Sequence, residues 1–250
     1  ELDDLCWAAV EAKAIELGVQ LAPGQVPGVL IGRAVACGRE LWGSFEDLHL
    51  DIWGPRSGKT TCRVIPAIMD APGAVVATSN KRDVVDATRG HRATVGEIWV
   101  FDPQGVAGAE PSWFWDPCAW VAGEGGSGAQ ERAAELAAHF ADATDSSSGD
   151  AFFEPEGEDL LAGLILAAAL DKKPITQVFA WVTSPTDQAP VGVVQKHGFS
   201  LVAGALATQY NAPDKQKGGV FSTAKKMAAV LKYEEVRQWV CPPSKGERPR

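Results

Sequence analysis

The sequence predicts an α/β fold in which a parallel sheet carrying a phosphate loop is followed by an all-helical domain. Three observations carry this expectation. Residues 49–102 alternate strand-like and helix-like stretches in the order β-α-β-α-β, a glycine-rich turn with a Gly-Lys-Thr triplet lies between the first strand and the first helix, and beyond residue 130 almost no strand pattern remains. Strands alternating with helices build parallel sheets with right-handed crossovers.

The elements follow in order. Residues 3–18 place Leu5, Ala8, Val10, Ala12, Ile15 and Leu17 near helical spacing, begin with acids and stop at a glycine, which reads as an amphipathic helix. Three short runs come next, VLIG, REL and LHLDIW, and the last is an apolar-polar strand from His49 to Trp53 that leads directly into the glycine-rich turn. A helix over about Lys59–Met69 precedes a buried-type strand, GAVVAT, then a helix from about Lys81 and a third strand, Ile98–Asp102. A tryptophan-rich loop (PSWFWDPCAW) and the glycine-rich stretch GEGGSGAQ separate this half from the rest. The segments ERAAELAAHFADA, DLLAGLILAAALD, ITQVFAWVT, VGVVQKHG and STAKKMAAVLKY read as helices, punctuated by SSSGD, KKP, SPTD and NAPDK. The expected domains are therefore 1–125, a nucleotide-binding half, and 126–250, an all-helical domain for partner or substrate recognition.

Composition narrows the function classes. With 250 residues, 46% hydrophobic and 22% charged, the chain has the make-up of an ordinary globular protein. A net charge of −9 excludes a histone-like nucleic-acid binder, so any DNA contact must use a local patch. Such a patch exists in outline: residues 97–171 carry fifteen acids against one base, whereas residues 213–250 carry nine bases against four acids. The five cysteines, Cys6, Cys37, Cys62, Cys118 and Cys241, form no C-x-x-C pair, which argues against a zinc ribbon or a disulfide framework and suits a reducing cytoplasm. The longest apolar stretch, Leu160–Leu170, is about half of the ~20 residues a membrane-spanning helix needs. A first residue of Glu1 rather than Met, with no basic-then-apolar leader, suggests a piece of a longer protein.

The sharpest motif is Trp53-Gly54-Pro55-Arg56-Ser57-Gly58-Lys59-Thr60-Thr61. The pattern G-x-x-x-x-G-K-[ST] calls for Gly where Trp53 stands, but its other end is intact. Gly58 permits a tight backbone turn, and successive N–H groups at a helix start face the phosphates. Lys59 reaches the β/γ-phosphate oxygens, and Thr60 offers its hydroxyl to Mg²⁺. Gly54, Ser57 and Thr61 supply further backbone or hydroxyl contacts. Arg56 is either a second phosphate contact or a solvated loop charge.

Beyond this motif, GPRSGKTTCRVIPAI, APGAVVATSNKRDVVDATRG, IWVFDPQG, AFFEPEGEDLLAGLILAAAL and NAPDKQKGGVFSTA resemble the type IV secretion coupling proteins, the conjugative DNA-transfer ATPases of TraG/TraD type in their actinobacterial form, over most of residues 25–240. The resemblance implies a RecA-like P-loop sheet, present here in part, with an inserted all-α domain. It also implies ATP and Mg²⁺ as cofactors, and membrane-anchored hexamers on the cytoplasmic face of the cell membrane that feed DNA and attached relaxase into a secretion channel. Members often lack the first P-loop glycine. One departure stands out: such motors need an apolar strand ending in Asp-Glu, and this sequence has none. Asp102 is followed by Pro103, and in the family the Asp-Glu strand comes after the helical insert, so the chain is expected to stop short of it. Asp102 is left with either a supporting role at the nucleotide or a structural role in a turn. The rival readings are a related translocase of chromosome-partition or type VII secretion kind, and a recognition module that binds nucleotide without hydrolysing it.

Weaker features keep two readings each. Ser79 or Asn80 caps the following helix, or Asn80 and Lys81 approach the γ-phosphate. Trp113, Phe114 and Trp115 plug a core or stack on bases. Lys215, Lys217, Lys225, Lys226 and Lys232 form a solvated surface or a contact for DNA or an acidic partner. The stretch GEGGSG reads as a hinge rather than a second phosphate loop, and the histidines His49, His91, His139 and His197 share no metal-ligand spacing.

Overall fold

A computed structural model describes residues 2–124, 127–144 and 153–243. The chain falls into two units, one made of the residues up to Trp99 with Gly105–Gly108, the other of Val100–Gln104 with the residues from Ala109 onward. By this division residues 109–124, at the end of the half expected to bind nucleotide, belong to the second unit.

In the first unit the amphipathic pattern of residues 3–18 yields α1 (Trp7–Glu16), but its buried face is narrow. Val10 and Ala14 are buried, while Ile15 remains 67% exposed. The helix packs on β2 (Glu40–Gly43), with Trp7 edge-on to Trp42 at 5.1 Å. Lys13 donates to Asp47 at 3.3 Å. The Ser44 N–H, followed by Lys13, holds the Asp47 carboxyl below the usual carboxylate range. The runs VLIG and REL become an antiparallel hairpin of β1 (Val29–Arg33) and β2, closed by an Arg33–Glu40 ion pair at 2.8 Å and bulged between Leu30 and Gly32.

After the phosphate loop the helix opens with a π-turn over Thr60–Val64 and continues as α2 (Ile65–Asp70). Pro66 explains the wide turn, because it lacks an N–H and its ring crowds the carbonyl four residues upstream, that of Cys62. Then α3 (Asp83–Arg92) packs on α2, and Arg92 ties it to the Ala71 and Gly73 carbonyls at 2.7 and 2.6 Å. The expected cap is displaced: Ser79 accepts the Lys81 N–H at 3.1 Å in the turn before α3, and no side chain caps the helix from its N-cap position at Arg82.

Among the described residues β1 and β2 are the only ladder. The three segments expected as parallel strands, His49–Trp53, residues 73–78 and Ile98–Asp102, carry no strand assignment, and much of their apolar surface is open, with Leu50 and Ile52 each 85% exposed and Val76 95% exposed. The side chains have strand character, but a ladder also requires a backbone partner for each N–H and C=O.

The second unit is built around α6 (Glu154–Leu170), which packs against α4 (Pro117–Ala122), α5 (Ala129–Asp142), α7 (Thr176–Val182), α8 (Ala189–Lys196), α9 (Ser200–Tyr210) and α10 (Asp214–Met227). A helix apolar on all sides is stable only as the buried centre of a bundle. Leu160, Leu161, Leu164, Ile165 and Leu166 are accordingly at most 1% exposed. Gly163 lets α9 approach closely, since a Cβ there would sit 2.7 Å from the Leu206 side chain. A 3₁₀ turn (Ala228–Lys232) and α11 (Glu234–Val240) complete the unit. Of the glycine-rich stretch, Gly123 ends α4 and left-handed Gly128 precedes α5, while residues 125–126 lie outside the described residues. The SSSGD break, residues 146–150, also lies outside them.

Truncating Leu164 removes atoms from the centre of this bundle, so Leu164→Ala is expected to lower the unfolding free energy by about 2–5 kcal/mol. Urea denaturation followed by circular dichroism reads this as a lower midpoint at constant slope, and an unchanged midpoint would refute the central role of α6.

Candidate functional site

The residues from Trp53 to Thr61 form a solvent-facing loop that enters the π-turn of the first unit. Two of them adopt left-handed backbone conformations, Arg56 at φ 56° and Gly58 at φ 87°. At Gly58 a Cβ would be strained by that φ and would lie 3.4 Å from the Cys62 Sγ, so glycine is required there. Arg56 has no such freedom, and holding a non-glycine residue in this region costs of order 1–3 kcal/mol; Lys172 in the second unit adopts a similar conformation at φ 53°.

Inside the loop, Ser57 Oγ donates to the Gly54 carbonyl at 2.5 Å and Thr61 Oγ1 to the Gly58 carbonyl at 3.1 Å. Lys59 folds back so that its Nζ lies 3.5 Å from the Trp53 carbonyl. The first helical bond runs from the Cys62 N–H to the Gly58 carbonyl at 2.8 Å. The N–H groups of Gly58, Lys59 and Thr60 have no acceptor among the described residues, and neither has the Thr60 hydroxyl. Unused N–H donors at a helix start, with a lysine among them, are the kind of arrangement that can receive an anion.

Asp102 lies in the second unit, 9% exposed, where its carboxylate accepts the Ala109 N–H at 3.3 Å. Trp113 donates from its ring to the Val100 carbonyl at 2.9 Å and packs against Phe101 and Trp239. Phe114 is 3% exposed. Both therefore fill a core, whereas Trp115 is 43% exposed and leans on Trp120. Burial pushes the neighbouring Cys118 thiol up to about 12, which makes it an inert core residue.

Of the five lysines, Lys217 is committed to the Tyr210 carbonyl at 3.4 Å and to Asp214 at 3.8 Å. Lys215, Lys225, Lys226 and Lys232 are exposed, with no acid partner among the described residues. Lys226 lines an open groove of about 590 Å³ between α5 and the end of α10, whose walls include Leu136, Phe140, Met227, Val230 and Tyr233. Of the other four cations of this end, Arg237 pairs with Glu234 at 2.6 Å, and Lys245, Arg248 and Arg250 lie outside the described residues.

Two residues beside the phosphate loop carry no recognised motif, Asp51 and Arg63. Arg63 is 8% exposed and pairs with Asp51. A charged residue four positions after Lys59, immediately before the apolar run Val64–Met69, was the available signal.

No group of His, Cys, Asp and Glu among the described residues is arranged to hold a metal ion, and no helix among them is long and apolar enough to cross a membrane. One unit carries the Gly58-Lys59-Thr60 turn and the other is a helical bundle. The family model described as type IV secretory system conjugative DNA transfer matches residues 25–242, and the chain belongs to that family. No curated protein and no solved structure matches the chain.

Proposed function

We propose that the chain is the ATP-binding part of a coupling ATPase that recruits DNA or a DNA-bound relaxase to a conjugative type IV secretion channel. The observation that carries the reading is the anion cradle at Gly58–Thr60, with its unused N–H donors and the Lys59 side chain folded across the loop. The residues fit a triphosphate with Mg²⁺: the N–H groups and Lys59 bind the phosphates, Thr60 offers its hydroxyl to the cation, and Gly54, Arg56, Ser57 and Thr61 shape the loop. When bound, Mg²⁺-ATP supplies the phosphoryl group whose hydrolysis drives transport in motors of this kind. Membership of the family supports the conjugative context. In this reading residues 49–53, 73–78 and 98–102 are strands of a RecA-like parallel sheet, and their open apolar side chains support it. The working assembly is a hexamer at the cytoplasmic face of the membrane. Asp102 has a supporting part at the nucleotide in the assembled motor, or else only closes its own turn. Calorimetric titration with Mg²⁺-ATP and Mg²⁺-ADP tests the core of the proposal: saturable binding is expected, and its absence refutes it.

The second unit is the recognition element, supported by the unpaired lysines at its basic end and the groove beside Lys226. Contacts of lysines with phosphates release counterions, so such binding weakens steeply with salt. Lys225→Glu with Lys226→Glu is expected to weaken binding of single-stranded DNA or an acidic partner and to flatten its salt dependence by about two contacts. Fluorescence anisotropy across a salt series measures both, and an unchanged slope sinks the assignment of this patch.

A further inference from the structure

Arg63 is buried in the first turn after the phosphate loop, although arginine is rarely buried unless paired. Its Nε donates to both carboxylate oxygens of Asp51, at 3.1 and 3.2 Å, and its Nη1 to the Leu30 carbonyl of β1. Arg63 lies within the π-turn, in which the Ile65 N–H bonds to the Thr60 carbonyl. Its neighbour Val64 is 41% exposed, so at this point of the turn the charged side chain and not the apolar one is buried.

The pair also closes a loop. Asp51 and Arg63 are 12 positions apart, and every residue of the phosphate motif lies between them. We propose that Arg63 is a positioning residue for the phosphate loop. By gripping Asp51 and the Leu30 carbonyl it holds the π-turn, and with it the direction in which Lys59 and the N–H groups of Gly58–Thr60 leave the helix start. The inference rests on the nucleotide reading above. The planar guanidinium suits the task, since two edges serve two acceptors at once, which the point charge of a lysine does less well.

The test uses amide hydrogen exchange over residues 57–64 without nucleotide, together with the Kd for Mg²⁺-ADP. Asp51→Asn and Arg63→Met are expected to speed exchange over this segment and to raise Kd about tenfold, the factor that follows if the competent loop falls to a tenth of the population. Arg63→Lys is expected to lie between these variants and the parent. Lys13→Ala breaks a different ion pair of the same unit and is expected to change neither readout. Faster exchange with an unchanged Kd overturns the proposal, as does a Lys13→Ala effect on Kd as large as that of Arg63→Met. No Mg²⁺-ADP binding by the parent chain overturns the nucleotide reading and this role with it. Parent binding that is indifferent to Asp51→Asn overturns the role of Arg63 alone. Asp51→Asn keeps the shape of a partly exposed side chain, so the result does not hinge on whether Arg63→Met folds.

Discussion

Replacing Lys59 by alanine is expected to weaken Mg²⁺-ATP and Mg²⁺-ADP binding by about a hundredfold or more, which corresponds to roughly 2.7 kcal/mol. The size follows from what is lost. An ammonium meeting phosphate oxygens makes charge-assisted hydrogen bonds, and removing one partner of such a pair typically costs about 2–5 kcal/mol in a binding site. The substitution should leave folding almost untouched, because Lys59 is exposed and its contact in the chain is the 3.5 Å approach to the Trp53 carbonyl. Surface changes of that kind fall within about 0.5 kcal/mol. Calorimetric titration of both proteins at matched ionic strength, with thermal unfolding as the control, decides the matter. Equal affinities would remove the loop from the nucleotide site.

The tight turn at Gly58 was legible in the sequence because it is local: a left-handed glycine followed by a lysine and a hydroxyl is set by adjacent residues. Arg63 was not, because its burial depends on Asp51 and the Leu30 carbonyl, partners 12 and 33 positions away, and an arginine next to a valine otherwise reads as the exposed one of the two. The same contrast runs through the fold. The long helix α6 was readable from its extended apolar run and α5 from its periodic apolar spacing, whereas VLIG and REL registered only as short runs and not as the paired strands they form. Helix α9 (SLVAGALATQY) was not, because small and apolar residues surround it almost evenly and only Ala203, Leu206 and Tyr210 are buried. The short helices α4 and α11 likewise show too few turns for a period to register. The segments 49–53 and 73–78 illustrate a different limit. Their composition suits strands, yet strandedness is a relation between segments, and the described residues contain no partner ladder for them.

Hydrolysis is where the sequence and the site diverge most. Attack of water on a γ-phosphate needs a group that orients or deprotonates that water, in addition to the contacts that hold the phosphates. On the proposed reading Gly58–Thr60 supplies the second requirement through contacts made already in the ground state, so binding would not depend on the first. No apolar run in this sequence ends in Asp-Glu, and Asp102, the acid nearest to that pattern, is followed by proline and accepts the Ala109 N–H at 3.3 Å. The purified 250-residue chain is therefore expected to bind nucleotide while releasing phosphate about 10²–10⁴-fold more slowly than a site with a positioned acid–base group. Raising the protein concentration to favour oligomers is expected to leave the rate per chain low, because more copies of a site without that group add phosphate cradles and not water activation. Steady-state phosphate release by the parent chain and by Asp102→Asn distinguishes the possibilities. The variant should match the parent, whereas a robust parental rate abolished by Asp102→Asn would make Asp102 the catalytic acid and the chain a complete motor core.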